Sequence, residues 1–273
     1  MKKRVWSLLL CGVMAVSLLA GCGSKEAPAE TESEDGSDME YVKSKGTLVV
    51  GITDFEPMDY KDENGEWIGF DADMAKAFAE SLGVEAEFVE IDWDNKVLEL
   101  DSKTIDCVWN GMTLSARNRD EMECTMAYLN NSQMIVVPFL SAGRRRAVED
   151  CMHLLFAVEA GSAGEHELRD RNYRYTSTKT QMEALERVAS GKADAAVVDG
   201  VMAGAMLGEG GQFSDLIMAD ILNSEEFGVG FRQGSDLAEE ANAFLTECRQ
   251  NGVIYDIAEK YGLQEMVIAP SGL

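Results

Sequence analysis

TLVVGITDFEPMDYKDENGEWIGFDADMAKAFAESLGVEAEFVEIDWDNKVLELDSKTIDCVW, residues 47–109, reads as strand, helix, strand, helix, strand. Thr47 to Thr53 is a short apolar, β-branched run, the pattern of a strand covered on both faces of a parallel sheet. After the turn at Asn64-Gly65, Asp71 stands where a helix N-cap is wanted. Met74, Ala75, Phe78, Ala79 and Leu82 then recur at helical spacing as far as Gly83. Val84 to Ile91 supplies the second strand, Lys96 to Leu100 a second helix, and Ile105 to Trp109 the third strand. This order predicts a parallel sheet covered by helices.

A second set of elements begins at Gln133. It runs through strands at Met134 to Pro138 and Leu155 to Glu159, a helix from Gln181 to Ser190 stopped by Gly191, and a strand at Asp194 to Val198. Met182, Leu185 and Val188 give that helix one apolar face. A last strand, Phe227 to Phe231, precedes helices over Asp236 to Asn251 and Ile254 to Tyr261. The chain has 273 residues, enough for about two domains. With 46% hydrophobic and 27% charged residues it has a globular composition. A net charge of −25 repels phosphate backbones and anionic headgroups, so nucleic acid is not an expected partner.

Upstream of the folded body, Lys2, Lys3 and Arg4 precede an apolar run from Val5 to Ala20, the order of an export signal, which assigns 1–21 as a signal peptide. The run ends Leu19-Ala20-Gly21-Cys22, which resembles the lipobox of bacterial lipoproteins and makes Cys22 the expected lipidation site. Residues 22–41 are then a lipidated cysteine and an acidic tether. The stretch 23–40 holds seven acids and one lysine and is too poor in apolar groups to offset its own ordering entropy. Four further cysteines, Cys107, Cys124, Cys151 and Cys248, allow three full pairings that spacing does not separate. Cys107, within an apolar strand, reads as a buried thiol.

The ordered series GITDFEPMDYKDENGEWIGFDADMAKAFAESLGV, IDWDNKVLELDSKTIDCVWNGMTLS, AVEAGSAGE, ADAAVVD and NSEEFGVGFRQGSDL resembles the polar amino-acid-binding proteins of bacterial ABC importers, solute-binding protein family 3. The resemblance implies an α/β, two-lobe type II periplasmic-binding-protein fold, with parallel-rich sheets flanked by helices and the ligand in the interlobe cleft. Lobe 1 would hold 42–132, lobe 2 would hold 133–222, and 223–273 would form the second hinge and the return to lobe 1. The crossings would fall near Tyr128 to Ser132 and Asn223 to Phe227.

Asp199 ends the strand AAVV, where open α/β sheets place ligands, and aligns with the family's ammonium-binding aspartate; an N-cap for the next helix is the alternative. Gly161-Ser162-Ala163-Gly164 stands between strand and helix, so N–H groups at Ser162 and Ala163 are candidates for the ligand carboxylate, against a plain turn. Asn110, Gly111 and Thr113 match the family's lobe 1 ligand loop. Its carboxylate-gripping arginine would fall at position 118, which is Asn118, so Arg117 or Arg119 is expected to take over or to remain a solvated charge. Phe55 and Trp93 align with the aromatic walls of the site, with core packing as the alternative. Arg144-Arg145-Arg146 reads as a solvated loop face.

No HExxH, GxSxG or GxxxxGK[ST] pattern is present, and His153 and His166 are not at zinc-site spacing. The expectation is therefore no enzyme, no cofactor and no metal. It is instead a monomeric protein held at the membrane by its lipid, passing a free, polar-class amino acid to an ABC permease and its ATPase. A dehydratase-like enzyme on the same fold is one rival. A receptor's sensing lobe is the other, disfavoured because no signalling segment follows Leu273.

Overall fold

The computed structural model describes residues 36–144, 148–208 and 210–269. The expected leader, Cys22, the tether up to residue 35 and the side chains of Arg144, Arg145 and Arg146 lie outside the described residues.

Folding begins earlier than the acidic composition predicts. Helix α1 (Asp38–Lys45) takes in residues 38–41, which the composition assigns to the tether. Ser37 caps the helix by accepting the Glu40 N–H at 3.0 Å, and Asp38 pairs with Arg232, Nε to Oδ2 3.0 Å. The counter-charge comes from the far end of the chain, so a local count of acids cannot see it.

Strand β1 (Thr47–Ile52) is followed by a small hairpin, β2 (Tyr60–Lys61) and β3 (Trp67–Ile68), and then by α2 (Phe70–Leu82). The N-cap of α2 is Gly69 and not Asp71. Gly69 has φ 128°, and a Cβ there would sit 2.1 Å from the Met58 carbonyl oxygen, so glycine is the residue that fits. Asp71 is buried instead, accepting the Gly111 N–H at 2.6 Å and the Tyr128 hydroxyl at 2.8 Å. Burial pushes its carboxyl up to about 7. A polar residue expected to start the helix is thus spent tying the helix to a strand.

Next come β4 (Glu85–Glu90), a 3-10 turn at Trp93–Asn95, α3 (Lys96–Asp101) and β5 (Cys107–Thr113). Both β4 and β5 run parallel to β1, as the βαβαβ reading requires. The chain continues through α4 (Ala116–Glu121), β6 (Glu123–Cys124), β7 (Leu129–Pro138) and α5 (Val148–Cys151). A second α/β set follows: β8 (Leu155–Glu159), α6 (Ala163–Asp170), β9 (Arg174–Thr178), α7 (Gln181–Ala189), β10 (Ala195–Asp199) and α8 (Gly200–Met206). The long strand β11 (Leu216–Phe231) then leads to α9 (Leu237–Asn251) and α10 (Val253–Lys260).

The strands lie in the order β4-β1-β5-β11-β7-β10-β8-β9, with β6 also on β11. Pairing is parallel toward both ends of the sheet and antiparallel in the middle, at β5/β11, β11/β7 and β7/β10. β7 and β11 pair from Leu129↔Phe227 to Pro138↔Leu216 and connect two α/β halves. One half is built on β4, β1 and β5, the other on β10, β8 and β9. In the first, Phe78, Trp109, Tyr128 and Phe70 form a buried aromatic chain with ring centroids 5.9–6.3 Å apart. Cys107, Cys124 and Cys248 are free thiols, and burial pushes the last two up to about 11, so none of these three is held as a thiolate. Among the described residues no helix is long and apolar enough to cross a membrane.

Candidate functional site

The carboxyl ends of β5, β8 and β10 converge on a small cavity between the two halves. Phe55, Trp93, Asn110, Gly111 and Thr113 line it from the first half, and Ser162, Ala163 and Asp199 from the second, so eight of the ten ligand residues expected from sequence meet there. The other two do not reach it. Arg117 is exposed and lines a wider neighbouring cavity, and Arg119 is exposed and lines neither. Their helix, α4, starts behind the Ser115 cap in a frame that turns Asn118, not its neighbours, inward.

Asp199 ends β10 and is 5% exposed. It occupies the N-cap position of α8, yet its side chain makes no cap hydrogen bond. Its Oδ1 accepts from Asn131 Nδ2 at 2.5 Å and Gln133 Nε2 at 2.6 Å, and its Oδ2 accepts from Gln181 Nε2. Asn131 and Gln133 are two apart on β7 and therefore share a face. Both amides also donate to Glu225 Oε1 at 2.8 Å, where the Thr113 hydroxyl joins at 3.0 Å, while Glu225 Oε2 is buried without a partner. Burial, then repulsion from Glu225, holds the Asp199 carboxyl well above the usual carboxylate range, against the pull of Gln181 and Asn131. The aspartate is satisfied by neutral amides and lacks a cation.

The strand-to-helix loop is a capping box around Ser162. Ser162 Oγ accepts the Glu165 N–H at 3.1 Å, and Glu165 Oε2 accepts the Gly161 N–H at 3.1 Å. Gly161 has φ 68° and lies against Asp94, which a Cβ would approach to 2.6 Å, so the two halves touch here through a position that glycine alone fills well. With Glu165 and Gly161 spent on each other, the first-turn N–H groups of Ala163 and Gly164 are the ones that helix geometry leaves without intrahelical acceptors.

The lobe 1 loop offers little to an anion. Asn110 donates to the Thr53 carbonyl at 3.1 Å and Asp59 at 2.7 Å, and accepts from Thr53. The Gly111 N–H goes to Asp71. Gly111 has φ 56° and is packed under Phe55, whose ring a Cβ would meet at 2.5 Å. Asn118 Nδ2 donates to the Thr113 carbonyl at 2.7 Å.

Glu159, at the end of β8, lines the cavity and is 3% exposed. Burial pushes its carboxyl up to about 8, against the attraction of Lys96. Lys96, 6% exposed, crosses the cleft to donate to the Gly161 carbonyl at 3.2 Å and also donates to the Trp93 carbonyl at 3.3 Å, with its ammonium 5.0 Å from the Trp93 ring centroid. Sequence reasoning missed Asn131, Gln133, Gln181, Glu159, Glu225 and Lys96. The i, i+2 amides next to the expected crossing were the available signal. No group of three or more His, Cys, Asp or Glu is placed to hold a metal among the described residues.

A family model of the bacterial extracellular solute-binding proteins, family 3, matches residues 48–264. The arginine-binding extracellular protein ArtP of Bacillus subtilis is 26% identical over 268 residues, covering 96% of this chain and 98% of its own. The L-cystine-binding protein TcyJ of Escherichia coli K12 is 28% identical over 261 residues, covering 92% and 94%. Among solved structures, the P235GK mutant of ArgBP from T. maritima superposes with a TM-score of 0.77 at 31% identity, covering 82% of this chain and 99% of that one.

Proposed function

Because the chain belongs to the bacterial extracellular solute-binding proteins of family 3, with the type II periplasmic-binding fold of its structural neighbours, we propose that it captures a free amino acid outside the cytoplasm and hands it to an ABC import permease. The observation that carries this reading is Asp199, a buried carboxyl surrounded by three amide donors and no cation, in a cavity between two α/β halves. An α-ammonium supplies the missing charge, which a buried carboxylate needs if its desolvation is to be offset. The ligand carboxylate takes the N–H groups that open α6, helped by the helix dipole. Phe55 and Trp93 flank the side chain.

In this reading 42–132 and 223–273 form one lobe and 133–222 the other, and the paired stretches 128–132 and 223–227 are the hinge. Ligand contacts on both lobes favour closure. Cys22 carries the lipid that retains the protein at the membrane, and its partners are the permease and its ATPase. The relatives above are named as binding proteins, and no catalytic step is assigned. Calorimetry of the purified protein against the common amino acids tests the reading. A ligand with micromolar affinity or better, about −8 kcal/mol, is expected. Silence across the panel, or turnover of a bound compound, refutes it.

A further inference from the structure

The cavity holds more carboxyl groups than an α-ammonium needs. Asp199 and Glu225 share the amides of Asn131 and Gln133, and that arrangement accounts for one cationic centre. Glu159 is separate. It ends a different strand, it is almost fully buried, and its Oε1 has no hydrogen-bond partner. Lys96 attracts the carboxyl but forms no ion pair with it, and its ammonium donates to the carbonyls of Trp93 and Gly161. Among the described residues no arginine or lysine side chain lines the cavity. Phe55 and Trp93, which do line it, present the aromatic surface on which a cation is stabilised.

We propose that Glu159 is the specificity determinant of this site and selects an amino acid whose side chain carries a positive charge, a guanidinium or a second ammonium. The proposal rests on the amino-acid reading above. A neutral side chain would leave Glu159 Oε1 as it is, buried and unpartnered. An acidic one would add a further negative charge to a cavity that already holds Asp199 and Glu159, with Glu225 beside them. A cationic side chain pairs Glu159 and lies against the aromatic walls, and Asp199 remains for the α-ammonium.

The test is calorimetry of wild type and Glu159→Gln against L-arginine, L-lysine, L-glutamine, L-glutamate and agmatine, which is arginine without its carboxylate, with the ligand-free thermal midpoint of each protein as the check on folding. Wild type should bind arginine or lysine about tenfold or more tighter than glutamine, and Glu159→Gln should lose about tenfold or more for the cationic ligand while its glutamine affinity barely moves. Glutamine preferred by wild type would mean that Glu159 acts as a protonated donor to a neutral amide, and that overturns the proposal. Equal losses for charged and neutral ligands in the variant overturn it too. Binding of agmatine with no binding of any amino acid overturns the amino-acid reading but leaves the cation selectivity of Glu159 standing. Silence from every compound overturns both.

Discussion

Replacing Asp199 by Asn keeps the size of the side chain and removes its charge, and the structure lets the two consequences be weighed separately. In the empty protein, Asp199 accepts three amide hydrogen bonds, from Asn131, Gln133 and Gln181. An asparagine has one acceptor oxygen, so one donor faces an NH2 group, a mismatch of about 1–3 kcal/mol. Against this, the substitution removes a buried carboxyl that burial and Glu225, with a smaller push from Glu159, hold above its usual range. The two effects oppose each other, and a net change within about 1 kcal/mol moves the thermal midpoint by roughly 2–4 °C. Ligand binding has no such compensation. Loss of one partner of a desolvated charge pair costs about 2–5 kcal/mol, roughly thirtyfold to several thousandfold in Kd. The assay is calorimetric Kd beside the ligand-free thermal midpoint, with Asp199→Ala as a second variant. Because Asp199 makes no cap bond to α8, neither variant should act mainly through helix stability. Affinity within threefold of wild type in Asp199→Asn would remove the aspartate from the ammonium site.

Four further outcomes are expected. Cys22→Ala should release the protein from the membrane or leave it unprocessed, and unchanged retention with unchanged mass in a fractionation and mass measurement would dismiss the anchor. Burial raises Glu159 from 4.5 to about 8 and also raises Asp199, so a cationic ligand should release protons on binding and gain affinity as pH rises toward 8. Calorimetry in buffers of different ionisation enthalpy reads that release. The contribution of Glu159 to stability should move the other way: the folded state binds the proton that the unfolded chain has lost, so this contribution is fullest below about 4.5 and is lost as pH rises through about 8, which the difference in thermal midpoint between wild type and Glu159→Gln across pH will follow. Asn118→Arg, at the one cavity-facing position of α4, should tighten binding of an amino acid relative to its decarboxylated amine by about tenfold through a charge-assisted carboxylate contact, and an unchanged ratio would deny that the carboxylate passes near residue 118.

The elements with strong apolar periodicity were legible in the sequence almost residue for residue. Thr47–Ile52, Leu155–Glu159 and the helix from Gln181 are examples. The two central strands were legible only at their apolar ends, Met134 to Pro138 and Phe227 to Phe231. β7 begins LNNSQ and the middle of β11 reads NSEEF, each with four polar residues in a row, because these stretches pair with each other and turn one side to a polar cavity, with Asn131 and Gln133 buried, and the other side, with Asn130, Ser224 and Glu226, to solvent. Asp71 failed as an N-cap for a related reason. Its position in the sequence fits a helix start, but Gly111 and Tyr128, brought close only by folding, claim its carboxylate. For the site, the strand-end aspartate and the glycine loop could be read locally. Glu159 could not, since an acid at the end of an apolar strand looks like an ordinary solvent-facing terminus until the opposite half closes over it.

The residues that hold Asp199 are also the ones that join the two halves. Asn131 sits opposite Glu225 in the β7/β11 register, and Gln133 opposite Asn223, so the amides that satisfy the aspartate belong to the same paired stretch proposed as the hinge. Asn131 and Gln133 divide their donors between Asp199 and Glu225 and draw two mutually repelling carboxyls together. An ammonium entering beside Asp199 relieves that repulsion and lets the amides serve both acids without opposition. The gain is largest when both halves are in place around it, because Thr113 of one half contributes to Glu225 while Gln181 of the other contributes to Asp199. In the proposed reading, ligand charge and lobe closure are linked through one hydrogen-bonded cluster. Substituting Asn131 should accordingly change both the affinity and the ligand-free balance between open and closed forms.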